Sequence, residues 1–255
     1  QLINLIENRH LMFDQHYEVL LADTPESKAI HYSIRYQVYC EEMGFENKDN
    51  FHQKQEVDNY DQHSVHFIVR TKTKKKWVGA LRIIYKNDNP LPIENICNLK
   101  EPIVKNNSKQ SAEISRLCIL KEARTRYIDI DPTNKIKEKK MPIRESNKIN
   151  LTHNKQQLIN RSIMWGLLNA ATEYCYSNNI CDWYFMTTIP LAKVLRKGGF
   201  NMINFGEGVH HNGNRYPFKK DVIDTYHNEA WRKHLKKGFS KFSELNLQRS
   251  TINVA

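Results

Sequence analysis

Residues 112–120 read AEISRLCIL, an apolar run that looks like a buried strand yet carries two charges. Ile114, Leu117, Cys118, Ile119 and Leu120 want to be inside, while Glu113 and Arg116 stand among them. Residues three apart share one face of a helix but fall on opposite faces of a regular strand. Both charges reach one cleft only if the strand bulges or twists between them, because one extra residue resets the alternation. The stretch therefore predicts an irregular strand with a carboxylate and a guanidinium at its entrance.

Working outward, SVHFIVRT (64–71) and KWVGALRIIYK (76–86) read as two strands joined by a short basic turn. HYEVLLADTP (16–25) reads as a strand that ends where Thr24 caps a helix opened by Pro25. In that helix Ile30, Ile34, Val38, Tyr39 and Met43 recur at helical spacing, and a polar, acid-bearing loop follows from Phe45 to Asp61. Downstream, about 127–150 is rich in Lys, Asn and Pro and predicts a polar insertion. The stretch 153–179 predicts a long amphipathic helix, DWYFMTT (182–188) a buried strand, and PLAKVLRKGGF (190–200) a short helix stopped by Gly198 and Gly199. RYPFKKDV (215–222) predicts a last strand, and the tail a helical extension over about 224–250. This order implies one domain over 1–255, of the α/β (α+β) class, with a mixed, mainly antiparallel sheet and helices on both faces.

The hydrophobic fraction of 40% over 255 residues supports a folded core, and no apolar run reaches the length of a transmembrane helix. The first residues lack the features of a secretory signal. Five cysteines without a CxxC pair predict buried free thiols, a reducing cytoplasm, and neither a metal site nor a disulfide framework. The net charge of +11 fits nucleic acid, an acidic protein partner or simple solubility. Its clusters, at 72–77, 121–161 and 231–241, are not interleaved with an exposed aromatic platform, which disfavours nucleic acid.

Arg35 interrupts SIRYQV and Arg82 interrupts GALRIIY, and a charge rarely enters an apolar pattern unpaired. Glu56, Asp58 and Asp61 lie close together in the loop QEVDNYD and would repel one another without shared cations. These residues predict a network of Arg35, Glu56, Asp58, Asp61, Arg82, Glu113 and Arg116, whose plainest role is structural. The acids lack the glycine and downstream glutamate of a calcium loop. His63 and His66 read as packed residues, Ser115 has no local histidine partner, and no GxSxG, HExxH, GxGxxG or phosphate-loop signature is present. Cys118 reads as a core thiol.

RYQVYCEEMGFE (35–46), EVDNYD (56–61), VGALRI (78–83) and AEISRLCI (112–119), in this order, resemble the autoinducer-synthase superfamily. The likeness is strongest to its exosortase-associated acyltransferases and N-acyl amino acid synthases, and it also takes in the later segment 198–218. It implies a GNAT-like acyl-CoA N-acyltransferase fold with no permanently bound cofactor. The implied activity moves a fatty acyl group from acyl carrier protein, or from acyl-CoA, to the amine of an amino acid or similar small molecule. It places Arg35, Phe45, Asp58, Asp61 and Arg82 around the acceptor, with Arg116, Glu113 and Glu56 as the catalytic set. Glu113, lifted by desolvation, is the first choice of base and Glu56 the second. Leu117, Cys118, Ile119 and Leu120 would run beneath the donor's pantetheine arm, and Lys121, Arg124 and Arg126 would meet its phosphate. Met164, Trp165, Leu168, Trp183, Phe185 and Met186 would form an apolar tunnel. Phe45 stands where homoserine-lactone producers usually carry Trp, which favours an amino acid over S-adenosylmethionine as acceptor. A homoserine-lactone synthase is the alternative, and a basic nucleic-acid-binding protein the reading from another class.

Overall fold

Thr24 does what its position predicts: its hydroxyl accepts from the main-chain N–H of Ser27, and Ser27 Oγ accepts from that of Thr24. This capping box opens helix α1 (Pro25–Tyr36) immediately after strand β1 (Tyr17–Leu21). In this computed structural model, residues 13–106, 109–125, 162–228 and 238–245 are described. The chain runs on through a π-helical turn, Gln37–Glu42, and a loop to the hairpin of β2 (Ser64–Thr71) and β3 (Trp77–Tyr85). A short helix α2 (Pro92–Ile96), strand β4 (Gln110–Ile119) and helix α3 (Lys121–Thr125) follow. Helix α4 is described over 162–177, and then come β5 (Ile180–Thr187) and α5 (Ile189–Lys197). Two-residue strands β6 (Ile203–Asn204) and β7 (Val209–His210) precede β8 (Asn214–Asp221), helix α6 (Val222–His227) and β9 (Ser240–Lys241). The polar stretch 127–150 and positions 153–161 of the expected long helix lie outside the described residues.

The strands form one mixed sheet in the order β6-β8-β5-β4-β3-β2-β1-β9, with β7 beside β8. Among the described residues only β4–β5 and β1–β9 pair in parallel. The mixed, mainly antiparallel sheet with helices on both faces is the architecture that the sequence implied. The β4–β5 pairing ends at Glu113↔Tyr184 although both strands continue, so the sheet parts there.

The irregularity expected in β4 is present. Arg82 pairs with Ser115 and Ala80 with Cys118, so Leu81 faces two residues, Arg116 and Leu117. Arg116 takes a φ of 50°, the left-handed value that lets the extra residue be absorbed. Ala112 and Ile114 therefore share a face with Leu117 and Ile119, while Cys118 packs on the other. Without the bulge this alternation would invert at Arg116.

The larger core lies between one face of the sheet and α4, where Phe67, Leu81, Ile83 and Trp183 meet Leu167, Ala170, Ala171 and Cys175. On the opposite face Ile34 and Val38 cover Leu20, Ile68, Ala80 and Cys118. Each fully buried aliphatic side chain contributes about 1.5–3 kcal/mol. All five cysteines carry free thiols; four are buried as expected, whereas Cys181 is half-buried.

Two expectations need correction. Met43 is 44% exposed, because the π-helical turn widens the helix by one residue and carries position 43 off the apolar face. The helical extension expected over about 224–250 is not continuous among the described residues: α6 ends at His227, and Ser240–Lys241 pair in parallel with Leu20 and Leu21. Phe239 and Phe242, which flank this short strand, pack against Phe67 and Trp77. Residues 229–237 and 246–255 lie outside the described residues.

Candidate active site

Three guanidinium groups come together where α1, β3 and the bulge of β4 converge on the acid loop. Arg35, fully buried, binds Glu56 through its Nε and donates from Nη1 to Asp61 Oδ1 at 2.6 Å. Arg82 Nη1 donates to Asp58 Oδ1 at 2.6 Å and to Asp61 Oδ1 at 2.8 Å, and its Nε donates to Ser115 Oγ at 3.0 Å. Arg116 Nη2 reaches Glu56 Oε1 at 3.0 Å, Asp58 Oδ2 at 3.4 Å and Glu46 Oε1 at 3.5 Å. The loop is held in register by its own acids, since Asp61 Oδ2 accepts from the N–H of Asp58 at 2.8 Å. Breaking one member of such a buried network strands the others, at a cost of roughly 3–5 kcal/mol.

Six of the seven expected members are therefore in one network, and Glu113 is not. Its carboxylate points past Arg82 to α2, where Oε2 accepts from the N–H of Ile93 at 2.8 Å. The network gains two members that sequence spacing did not nominate. One is Glu46; the other is His66, whose Nε2 lies 3.1 Å from Asp61 Oδ1. Among the described residues no cluster could hold a metal ion.

Burial works differently on these acids. It opposes ionisation of Glu56, but Arg35 and Arg116 outweigh it and hold that carboxyl below its ordinary range. Asp61 follows the same logic, with His66, Arg35 and Arg82 outweighing burial and holding it far below. Glu113 lacks such partners at contact distance, so burial pushes its carboxyl up to about 8, only partly offset by the Ile93 N–H and the fields of Arg82 and Arg116.

A cavity of about 220 Å³ opens where β4 and β5 part. Its polar end is lined by Glu46, Arg82, Glu113, Ser115 and Arg116, so both charges of the opening stretch face one space. Glu56 sits behind Arg116 and does not line it. The apolar end is walled by Leu117, Leu168, Trp183, Phe185 and Met186, together with Leu191 and Leu195 of α5 and Phe200. Of the expected tunnel residues Met164 and Trp165 stay out of it; Trp165 lies against Gly198, where an added Cβ would meet its ring at 2.2 Å. Tyr39 and Phe45 close the polar end, brought together because the N–H of Phe45 donates to the Tyr39 carbonyl at 2.8 Å. Arg215, His211 and Asn212 of the β7–β8 hairpin also line the cavity, and nothing in local sequence pattern singled them out.

The residues expected along the donor fall in three groups. Leu117 lines the cavity and Ile119 packs half-buried on the same face. Cys118 and Leu120 belong to the opposite face, and burial pushes the Cys118 thiol up to about 12, as suits a core thiol. Beyond β4, Glu42 accepts from the N–H of Lys121 at 2.9 Å and from Arg124 Nη2 at 2.6 Å, so a carboxylate already engages two of the positions expected to meet phosphate. Arg126 lies outside the described residues.

Residues 34–129 match the acetyltransferase (GNAT) domain family. No protein of curated function matches the chain in sequence. Among solved structures, TofI in a ternary complex with an inhibitor and MTA superposes with a TM-score of 0.55 at 16% identity, over 80% of this chain and 91% of that one. The AHL synthase LasI gives 0.53 at 15% identity, over 88% and 97%. The CoA-dependent acyl-homoserine lactone synthase BjaI with MTA gives 0.55 at 14% identity, over 88% and 89%. The expected resemblance to the autoinducer-synthase superfamily thus holds at the level of fold, and the GNAT domain match supports an acyltransferase. No helix of the described residues is long and apolar enough to cross a membrane.

Proposed function

We propose that this chain is an N-acyltransferase that moves a fatty acyl group from acyl carrier protein or acyl-CoA to the amine of an amino acid or similar small amine. One observation carries the reading: a single cavity joins an apolar pocket to a charge-lined end, and Glu113 lines that end. Beyond Glu113 the cavity-side edge of β4 pairs with no strand among the described residues, which leaves main-chain groups near Leu117 for a pantetheine arm. The apolar wall of Leu168, Trp183, Phe185 and Met186 suits an acyl chain.

In this scheme the acceptor nitrogen attacks the thioester carbonyl carbon, the C–S bond breaks, and sulfur leaves with the pantetheine arm as a thiolate, which takes up the proton that Glu113 has received from the nitrogen. The proton lost by the nitrogen passes to Glu113. A carboxylate near pKa 4 is a weak base, but one lifted to about 8 is matched to work near neutral pH. Glu56 is the poorer candidate, since its oxygens are occupied by Arg35 and Arg116. Arg82 and Arg116 hold the polar end in place for the acceptor, and Phe45 packs beside Tyr39 at its margin.

The test is direct. Purified chain is incubated with decanoyl-acyl carrier protein or decanoyl-CoA and a panel of amino acids and amines, and products are read by mass spectrometry. N-decanoyl amino acids are the expected products, and lipid extracts of overproducing cells should contain N-acyl amino acids absent with Glu113→Gln. Formation of acyl-homoserine lactone from S-adenosylmethionine, with no amino acid acylated, would replace this reading with the lactone synthase.

A further inference from the structure

Arg82 and Arg116, two cations that line the cavity, are both matched by carboxylates: Asp58 and Asp61 hold the first, Glu56, Asp58 and Glu46 the second. Arg215 differs. It faces the same cavity from the hairpin of β7 and β8, and its Nη2 donates to the main-chain oxygen of Asn212 at 3.2 Å, inside its own turn. Among the described residues no carboxylate forms an ion pair with it.

The turn that presents Arg215 is well specified. Asn212 and Gly213 take φ values of 50° and 92°, the left-handed pair that Asn-Gly supplies to a tight hairpin. Val209 pairs with Arg215 and His210 with Asn214 across that turn, and Tyr216 pairs with Thr187 at the end of β5. A half-buried guanidinium beside an apolar wall gives up part of its hydration and gains from an anion. Its planar fork fits a carboxylate through two parallel hydrogen bonds.

We propose that Arg215 binds the carboxylate of the acceptor, and that the acceptor is therefore an α-amino acid whose amine is delivered to the thioester. This rests on the acyl-transfer reading above and adds to it the residue that would select an amino acid over a similar amine without a carboxylate. Arg215 determines specificity; the proton transfer stays with the group assigned above.

The experiment uses the full chain with the decanoyl donor that supports turnover. The best amino acid acceptor is compared with its own carboxamide and its decarboxylated amine. Wild type is expected to favour the acid by about tenfold to a hundredfold in kcat/KM, mostly through KM, as suits a charge-assisted contact. Arg215→Ala should bring the acid-to-amide ratio toward one, and Arg215→Lys should restore part of it. Matching thermal unfolding curves would show that the hairpin still folds. The proposal is overturned if wild type takes amide and acid alike, or if Arg215→Ala lowers both in equal proportion. It is overturned equally if Arg215→Ala raises the donor's KM and leaves the acceptor's alone, which would assign the arginine to phosphate. A chain that acylates no amine sinks this inference together with the acyl-transfer reading, whereas indifference between acid and amide sinks this inference alone.

Discussion

Glu113 owes its chemistry to what it does not touch. Arg35, Arg82 and Arg116 are used up by Glu56, Asp58, Asp61 and Glu46, and among the described residues the Glu113 carboxylate takes only the Ile93 N–H as a close partner. A buried carboxyl in that position keeps its proton to about 8. If it is the base, kcat/KM should rise with pH toward an apparent pKa near that value. Glu113→Gln should lower kcat by about 10²–10⁴-fold and abolish that limb. Activity within about threefold of the parent would remove Glu113 from the role. Stability carries a matching signature. The folded state holds a proton on Glu113 between the ordinary 4.5 and about 8, while the unfolded state has released it. The unfolded state then binds fewer protons, so this group's contribution is complete below 4.5 and is lost as pH climbs to about 8. Urea unfolding at pH 5 and pH 9 should therefore show a smaller loss for Glu113→Gln than for the parent. A loss as large in the variant would mean that other groups set the slope.

The bulge in β4 is the element on which the site depends, because it alone puts Arg116 on the same side as Glu113 and Ser115. Its one residue with a left-handed φ is an arginine, where a side chain costs about 1–2 kcal/mol of backbone strain. The ion pairs with Glu56 and Asp58 offset that strain in the native protein. Substituting Arg116 by Ala and by Gly removes those pairs in both cases, yet only Gly removes the strain. Arg116→Gly should thus be more stable than Arg116→Ala by about 1 kcal/mol, although glycine in a strand usually lowers stability. Equal stabilities by chemical denaturation would mean that the bulge relaxes when the ion pairs go. The π-helical turn after α1 plays a parallel part, since its extra residue sets Tyr39 and Phe45 at the polar end of the cavity.

Across the whole molecule, what could be read from sequence was what local free energy decides. The cap at Thr24, the hairpin of β2 and β3, and the stop at Gly198–Gly199 are short-range signals, and each appears where expected. The ion network was legible because Arg35 and Arg82 break apolar patterns, and the bulge because Glu113 and Arg116 are three apart. What could not be read depends on chain segments far apart in sequence: Glu113 meeting α2, β9 joining β1, and Arg215 reaching the cavity from a hairpin about a hundred residues beyond β4. The charge of +11 is also a property of the whole chain. Acyl carrier proteins are acidic, and a basic surface accelerates docking through a field that salt screens. If acyl carrier protein is the donor, kcat/KM should fall roughly tenfold or more between 50 and 500 mM salt, within the range that steering supplies. The same titration with decanoyl-CoA should move it far less. Reversing Arg124 and Arg126 to Glu should flatten the salt dependence, and here the ion pair of Arg124 with Glu42 sharpens the expectation. Reversal at Arg124 sets two carboxylates, its own and that of Glu42, against each other beside α3, so the donor's KM should rise while turnover at saturating donor changes little. Turnover with acyl carrier protein that ignores both ionic strength and the reversals would leave the basic surface without a role in donor docking.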